Sequence, residues 1–203
     1  PTFVAVNIAG AMAYMVRDDS VIWQSRAVVG RTSTSTPVFE ATMQTIELNP
    51  TWTVPPGIVG EILAAIRADP QYLAKNGMRV LDASGRPVSI TAEELSRYTP
   101  GTFPYVFRQD PGPLNPLGKI KLLFPNRYNV YLHDTPARSL FELEERTFSH
   151  GCIRLQDPIG LAEAVLDDPR WTRTTITAEI ARGATRQIPL NRPVPVLILY
   201  WTA

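Results

Sequence analysis

Apolar and polar positions alternate in short runs over the first 48 residues, with β-rich segments at 3–8, 11–16 and 21–29 separated by Ala9-Gly10 and Asp18-Asp19-Ser20. Segments of this length and residue type, bounded by turn formers, predict hairpins of an antiparallel sheet. Residues 43–48 add a strand before the break at Asn49-Pro50. The period changes after Pro55-Pro56-Gly57: Ile58, Ile62, Leu63 and Ile66 recur at helical spacing, which predicts an amphipathic helix stopping near Asp69-Pro70. Residues 71–117 are rich in loops and proline, with a turn at Asp82-Ala83-Ser84-Gly85 and a short helix over 91–98 in which Thr91 and Glu94 stand at capping-box distance. The span 57–112 is thus expected to be a lobe inserted between core strands.

Core strands resume at 118–124 and, past the Pro125-Asn126 turn, at 128–133, a segment that His133 closes. Asp157 is a candidate N-cap, Pro158 suits the first helical position, and Ile159, Ala162, Val165 and Leu166 form one apolar face, so a helix follows there. Residues 194–201 predict a last strand.

Composition narrows the class. At 203 residues and 44% hydrophobic content the chain can bury a full core, and its length favours one domain over 1–203 carrying the inserted lobe. A formal charge of +1 from 20 basic and 19 acidic side chains, with no long run of either sign, gives no footprint for nucleic acid or anionic lipid. The longest apolar stretch, 194–201, falls well short of the ~20 residues that span a bilayer. The chain begins at Pro1 without an initiator methionine or signal-peptide pattern, so it is expected to be a piece of a longer protein. One cysteine excludes an intramolecular disulfide, and a lone thiol of this kind is a candidate reactive group.

That cysteine, Cys152, lies in Ser149-His150-Gly151-Cys152-Ile153-Arg154, and both histidines of the chain, His133 and His150, lie within twenty positions of it. A free thiol titrates near ~8.5 and needs a neighbouring base or positive field to become a nucleophile at neutral pH. Gly151 lets a backbone N–H approach a substrate closely, as an oxyanion donor must. Adjacency does not make His150 the base: it is expected to orient the nucleophile loop, with direct chemistry as the alternative. The Ser149 hydroxyl is expected to secure the turn, since a thiolate outcompetes an unactivated alcohol. Tyr131, two residues before His133, should share its side of the strand, as a pocket residue or as ordinary core. A zinc site is disfavoured, because His133, His150 and Cys152 lack a second cysteine or third histidine to complete four ligands. Residues 112–118 lack the lysine-serine ending of a phosphate loop. No cofactor or metal is expected.

A histidine, fifteen further residues before Ser149, and then Ser149-His150-Gly151-Cys152 resembles the L,D-transpeptidase catalytic domain, also called the YkuD domain. Tyr131-Leu132-His133-Asp134-Thr135-Pro136, Ser139-Leu140-Phe141 and Cys152-Ile153-Arg154, with the Trp52 region upstream, are similar to the larger Gram-negative members that carry a substrate-capping lobe. The resemblance implies a β-sandwich-like mixed α/β core with 57–112 as the capping lobe, in the periplasm or cell envelope. It implies that Cys152 attacks the carbonyl of the third residue of a peptidoglycan tetrapeptide stem and releases D-alanine. It implies further that His133 acts as base, that the Gly151 and Cys152 N–H groups stabilise the oxyanion, and that an amine of a second stem takes the acyl group. It further implies Arg154 as a carboxylate-binding fork, where composition alone suggests a surface arginine, and Trp52 as a pocket wall, where packing is the plain alternative. Donor and acceptor stems and carbapenem-type β-lactams are the implied partners. A 3-3 cross-link is the foremost expectation. Linkage of the 1-3 type, a lipoprotein acceptor, hydrolysis by an L,D-carboxypeptidase or endopeptidase, and a non-catalytic peptidoglycan-binding module are the alternatives.

Overall fold

In the computed structural model, which describes residues 1–202, the alternating runs near the N-terminus form β1 (Thr2–Asn7), β2 (Met12–Arg17) and β3 (Ser20–Gly30), joined as antiparallel neighbours. β4 (Phe39–Leu48) follows, and the chain then enters a second unit that spans Thr51–Asn115. This unit holds β5 (Trp52–Thr53), α1 (Val59–Ala68), α2 (Tyr72–Lys75), β6 (Met78–Leu81), α3 (Ala92–Ser96) and β7 (Val106–Gln109). The first unit resumes with β8 (Ile120–Leu123), β9 (Leu132–His133), β10 (Thr147–Ser149), β11 (Ile153–Leu155), α4 (Pro158–Leu166), α5 (Arg173–Ala181) and β12 (Arg186–Leu199).

The first unit is a β-rich mixed α/β fold whose strand order is β10-β3-β11-β9-β8-β4-β12-β1-β2. Because β2 also pairs with β3, the sheet closes on itself. Period-two alternation sends Val4, Val6, Met15, Ile46, Leu122, Leu132, Ile153 and Val196 into one apolar core, each fully buried. Burial of such a side chain stabilises by ~1.5–3 kcal/mol. The intervening residues face the other way, and the candidate site is built from those. α4 starts as its sequence predicts: the Asp157 carboxylate accepts the Gly160 N–H at 3.1 Å, Trp23 Nε1–H at 3.1 Å and both Arg173 guanidinium arms at 3.0 Å.

The second unit is a three-stranded antiparallel sheet, β5-β7-β6, with α1 burying Val59, Ile62, Leu63 and Ile66 against Val80, Leu95 and Phe107. The capping box of α3 is formed, with Thr91 Oγ1 accepting from Glu94 N at 3.1 Å and Glu94 Oε2 from Thr91 N at 2.8 Å. The unit is wider than 57–112 because β5 pairs with β7, Trp52 opposite Gln109, which brings residue 52 into it.

Two local expectations are corrected, and one helix lies where no element was expected. The segment 128–133 is extended and paired only at Leu132–His133, because Asn126 holds a turn ahead of it: its Oδ1 accepts the N–H groups of Tyr128 and Val130, and its Nδ2 donates to the carbonyls of Phe124 and Val130. The last strand starts at Arg186 rather than 194, with a ladder irregularity between Pro189 and Val194 where proline removes donors. α5 carries no helical signal in its threonines, yet Thr172 and Thr175 cap it reciprocally and Ile176 and Ile180 bury one face.

Candidate active site

β9 and β11 run parallel with Arg154 opposite His133, and β8 runs antiparallel to β9 with Lys121 opposite His133. In-register neighbours project to the same side of a sheet. Lys121, His133 and Arg154 therefore form a polar row on the face turned away from the core. Cys152 stands immediately before β11, on the turn that follows β10.

Ser149 builds that turn. Its buried hydroxyl accepts the Gly151 N–H at 3.0 Å and donates to the Cys152 carbonyl at 2.5 Å. Gly151 adopts φ +122°, a conformation L side chains rarely take. The expectation that the Gly151 N–H stabilises an oxyanion is corrected here, because Ser149 already takes that donor. The Cys152 N–H has no protein acceptor among the described residues and is the donor left on the loop. His150 is exposed on the turn, in contrast to the buried His133.

A segment that the sequence marks only as a short Thr/Ser loop supports this turn. Thr34 Oγ1 and the Arg31 N–H donate to the Ser149 carbonyl, both at 3.0 Å. Thr36 Oγ1 donates to the Gly151 carbonyl at 2.8 Å while accepting the Gly30 N–H at 3.0 Å. Gly30 is required for this approach: a Cβ there would lie 2.2 Å from the Thr34 carbonyl oxygen.

The thiol is held by the opposite loop. Cys152 Sγ lies 3.6 Å from the Asn129 carbonyl oxygen, and Asn129 reaches that position in the left-handed region at φ +53°. The Tyr131 backbone N–H and hydroxyl face the sulfur and favour its thiolate form. Burial pushes the thiol above its ordinary pKa, while these two donors and the charges of Lys121 and Arg154 pull it down. Burial also raises the Tyr131 hydroxyl, with the sulfur's negative charge adding to the effect. The Tyr131 ring sits 5.7 Å from the His133 ring, and the Lys121 ammonium lies 4.2 Å over its centroid. His133 is buried, with Nδ1 bonded to the Asp134 carbonyl, so Nδ1 carries the proton and Nε2 is the free lone pair. Burial drives its pKa down to about 3, opposed by the Asp134 carbonyl and helped by Arg154 and Lys121. The resting site thus holds a neutral imidazole and a protonated thiol, and its parts suit general-base rather than ion-pair chemistry.

The depressed His133 pKa ties stability to acid. Unfolded, the imidazole binds its proton near 6.5; folded, it does so only near 3. The stabilising effect of keeping it neutral is present above pH 6.5 and is lost as pH falls from there toward 3, because the unfolded chain then holds the extra proton. Between pH 7 and 5 the wild-type protein should lose about 2 kcal/mol more in urea denaturation than His133→Gln. Equal losses would contradict the depressed pKa.

The structure gathers Cys152, Gly151, Ser149, His150, Tyr131, His133 and Arg154 in one unit, whereas Trp52 stands on β5 of the other, packed against that unit's apolar core. Lys121, Asn126, Asn129, Thr34 and Thr36 were not signalled by motif spacing. Among the described residues no group of three or more His, Cys, Asp or Glu side chains could hold a metal ion, and no helix is long and apolar enough to cross a membrane.

A buried imidazole, a thiol held by backbone and hydroxyl groups and a glycine turn make a site with the parts for acyl transfer through a thioester. The chain belongs to the L,D-transpeptidase catalytic domain family, YkuD, whose model matches residues 1–195. It is 34% identical over 204 residues to an inferred L,D-transpeptidase of Haemophilus influenzae, covering 98% of this chain and 41% of that protein. The chain thus spans about two fifths of the length of that curated relative. Among solved structures it is similar to L,D-transpeptidase 3 of Mycobacterium tuberculosis, at 15% identity and TM-score 0.44 over 98% of this chain and 60% of that one. It is also similar to the catalytic domain of the E. faecium L,D-transpeptidase acylated by ertapenem, at 13% identity and TM-score 0.42 over 98% and 96% of the two chains.

Proposed function

We propose that this chain is a peptidoglycan L,D-transpeptidase of the bacterial envelope with Cys152 as nucleophile and His133 as base. The observation that supports it most is the thiol's setting, on a glycine turn with a free Cys152 N–H beside it and its sulfur 3.6 Å from the Asn129 carbonyl. His133 Nε2 takes the thiol proton as Sγ bonds to the carbonyl carbon of the stem's third residue. The Cys152 N–H and the Tyr131 hydroxyl stabilise the oxyanion, and each such donor is worth ~3 kcal/mol of barrier. The C–N bond to D-alanine breaks as His133 returns the proton to the leaving amine. An amine of a second stem then attacks the thioester, giving its proton to His133, and the C–S bond breaks to regenerate the thiol.

Arg154, beside His133, supports the site through its charge and is assigned to substrate. The second unit, with Trp52, is assigned to substrate selection. The chemistry requires no cofactor. A carbapenem is opened by the same thiol, forming an acyl adduct. Incubation with purified disaccharide-tetrapeptide, followed by tandem mass spectrometry, is expected to give 3-3 cross-linked dimers and free D-alanine. Dimers of the 1-3 type would redirect the acceptor. Tripeptide without dimer would make the chain a carboxypeptidase, and no product at all would overturn the reading.

A further inference from the structure

Beside Tyr131, on the side of the polar row away from Arg154, lies a groove of about 420 Å³ lined by Lys121, Asn129, Asn126, Gln44 and Phe124 together with Tyr131 itself. Two of its walls border the sulfur: the Asn129 carbonyl lies 3.6 Å from Sγ, and the Tyr131 hydroxyl acts on the thiol electrostatically. An acyl group on Cys152, or the group it displaces, therefore has this groove within reach.

The cation in the groove makes no direct ion pair among the described residues, although the charge of Glu47, opposite it across the strands, reaches Tyr131. Lys121 Nζ rests 4.2 Å over the Tyr131 ring centroid, and no carboxylate oxygen lies within 4.0 Å of it among the described residues. Its cross-strand neighbour Glu47 is engaged by Gln187 Nε2 at 3.3 Å. A half-buried ammonium fixed over an aromatic face, with hydrogen-bonding capacity to spare, is suited to an anionic ligand. In a tetrapeptide stem the leaving residue carries its carboxylate three bonds from the attacked carbon. Of the carboxylates on the stem, this one must lie nearest to the sulfur.

We propose that this groove receives the terminal D-residue of the donor stem and that Lys121 binds its free carboxylate. This rests on the function proposed above. It makes Lys121 the residue that restricts the donor to stems with a free C-terminus, and it separates that task from Arg154 on the far side of His133.

The test compares a tetrapeptide stem with its C-terminal amide. Wild-type enzyme is expected to prefer the free acid by ~10-fold or more in kcat/KM, through KM. Lys121→Gln should lose that preference, and Lys121→Arg should keep most of it. Amidating a different carboxylate of the stem, with the C-terminus left free, should change kcat/KM by the same factor in wild type and in Lys121→Gln. Binding of the acid and the amide to Cys152→Ala protein is read in parallel: a preference there without any turnover by wild type would defeat the function while sustaining the subsite. A wild-type enzyme indifferent to terminal amidation overturns the proposal whatever the variants do. So does a Lys121→Gln enzyme that keeps the preference. A Lys121→Gln enzyme that loses kcat equally on acid and amide, with KM unchanged for both, would show that Lys121 acts through the thiol alone and also overturns it.

Discussion

Cys152→Ala is expected to abolish D-alanine release and to remove the carbapenem adduct from the intact-protein mass spectrum. The cysteine is the one thiol of the chain, so no second sulfur can substitute for it. Loss of a covalent nucleophile costs ~10⁴-fold or more even where binding and oxyanion donors remain. Cys152→Ser separates the thiol's chemistry from its shape. Serine keeps a donor to the Asn129 carbonyl and an acceptor for Tyr131, but its hydroxyl needs a much stronger base than an imidazole driven down to about 3. The serine variant should therefore be nearly as inactive as the alanine one, by ~10³-fold or more. An adduct that formed equally on Cys152→Ala, or a serine enzyme within tenfold of wild type, would remove Cys152 from the nucleophile role.

Parts of this site were legible where residue type and local spacing carry the chemistry, and others were not. The thiol, the glycine before it and His150 are adjacent in sequence, His133 lies nineteen positions upstream, and their residue types state their chemistry. The hairpins of β1, β2 and β3, the helix α1 and the caps of α3 and α4 were legible too, because periodicity and capping are local. Lys121 was not. Its place beside His133 depends on strand register, which no local pattern encodes, although Ile120-Lys121-Leu122 does put a charge between two core positions. Asn129 was hidden for a related reason: residues 128–131 have strand-like composition, and the four bonds of the Asn126 side chain turn the chain before it can pair. Thr34 and Thr36 act at a distance of 115 residues through carbonyls of the nucleophile turn. A Thr/Ser loop has the same composition whether or not it makes such bonds.

The largest stability effect is expected at Arg146, which introduces β10 and so the nucleophile turn. Its guanidinium is buried without a carboxylate. Nε donates to the Ala27 carbonyl at 3.0 Å, Nη1 to Leu143 and Glu144 at 2.8 and 3.3 Å, and Nη2 to Gly10 and Ala11 at 3.3 and 3.0 Å. Burial lowers its pKa, with Arg26 adding repulsion, yet a guanidinium stays charged and the five carbonyl dipoles must hold it. Those carbonyls come from the β1–β2 turn, β3 and the chain entering β10, so one side chain fixes three segments. Arg146→Met keeps most of the volume but removes five hydrogen bonds, two of them buried, that tie three segments together, and such losses total ~3 kcal/mol or more. Arg146→Lys retains the charge without the planar fork and should recover less than half of that. Urea denaturation reads both, and a loss below ~1 kcal/mol for the methionine variant would show that the five bonds merely accompany the fold. Because the Val29 N–H also bonds to the Arg146 carbonyl at 2.9 Å, the strand that positions Ser149 loosens with it. The methionine variant should then lose acyl transfer at temperatures where most of it is still folded, since the Ser149 hydroxyl can no longer hold the turn at Cys152.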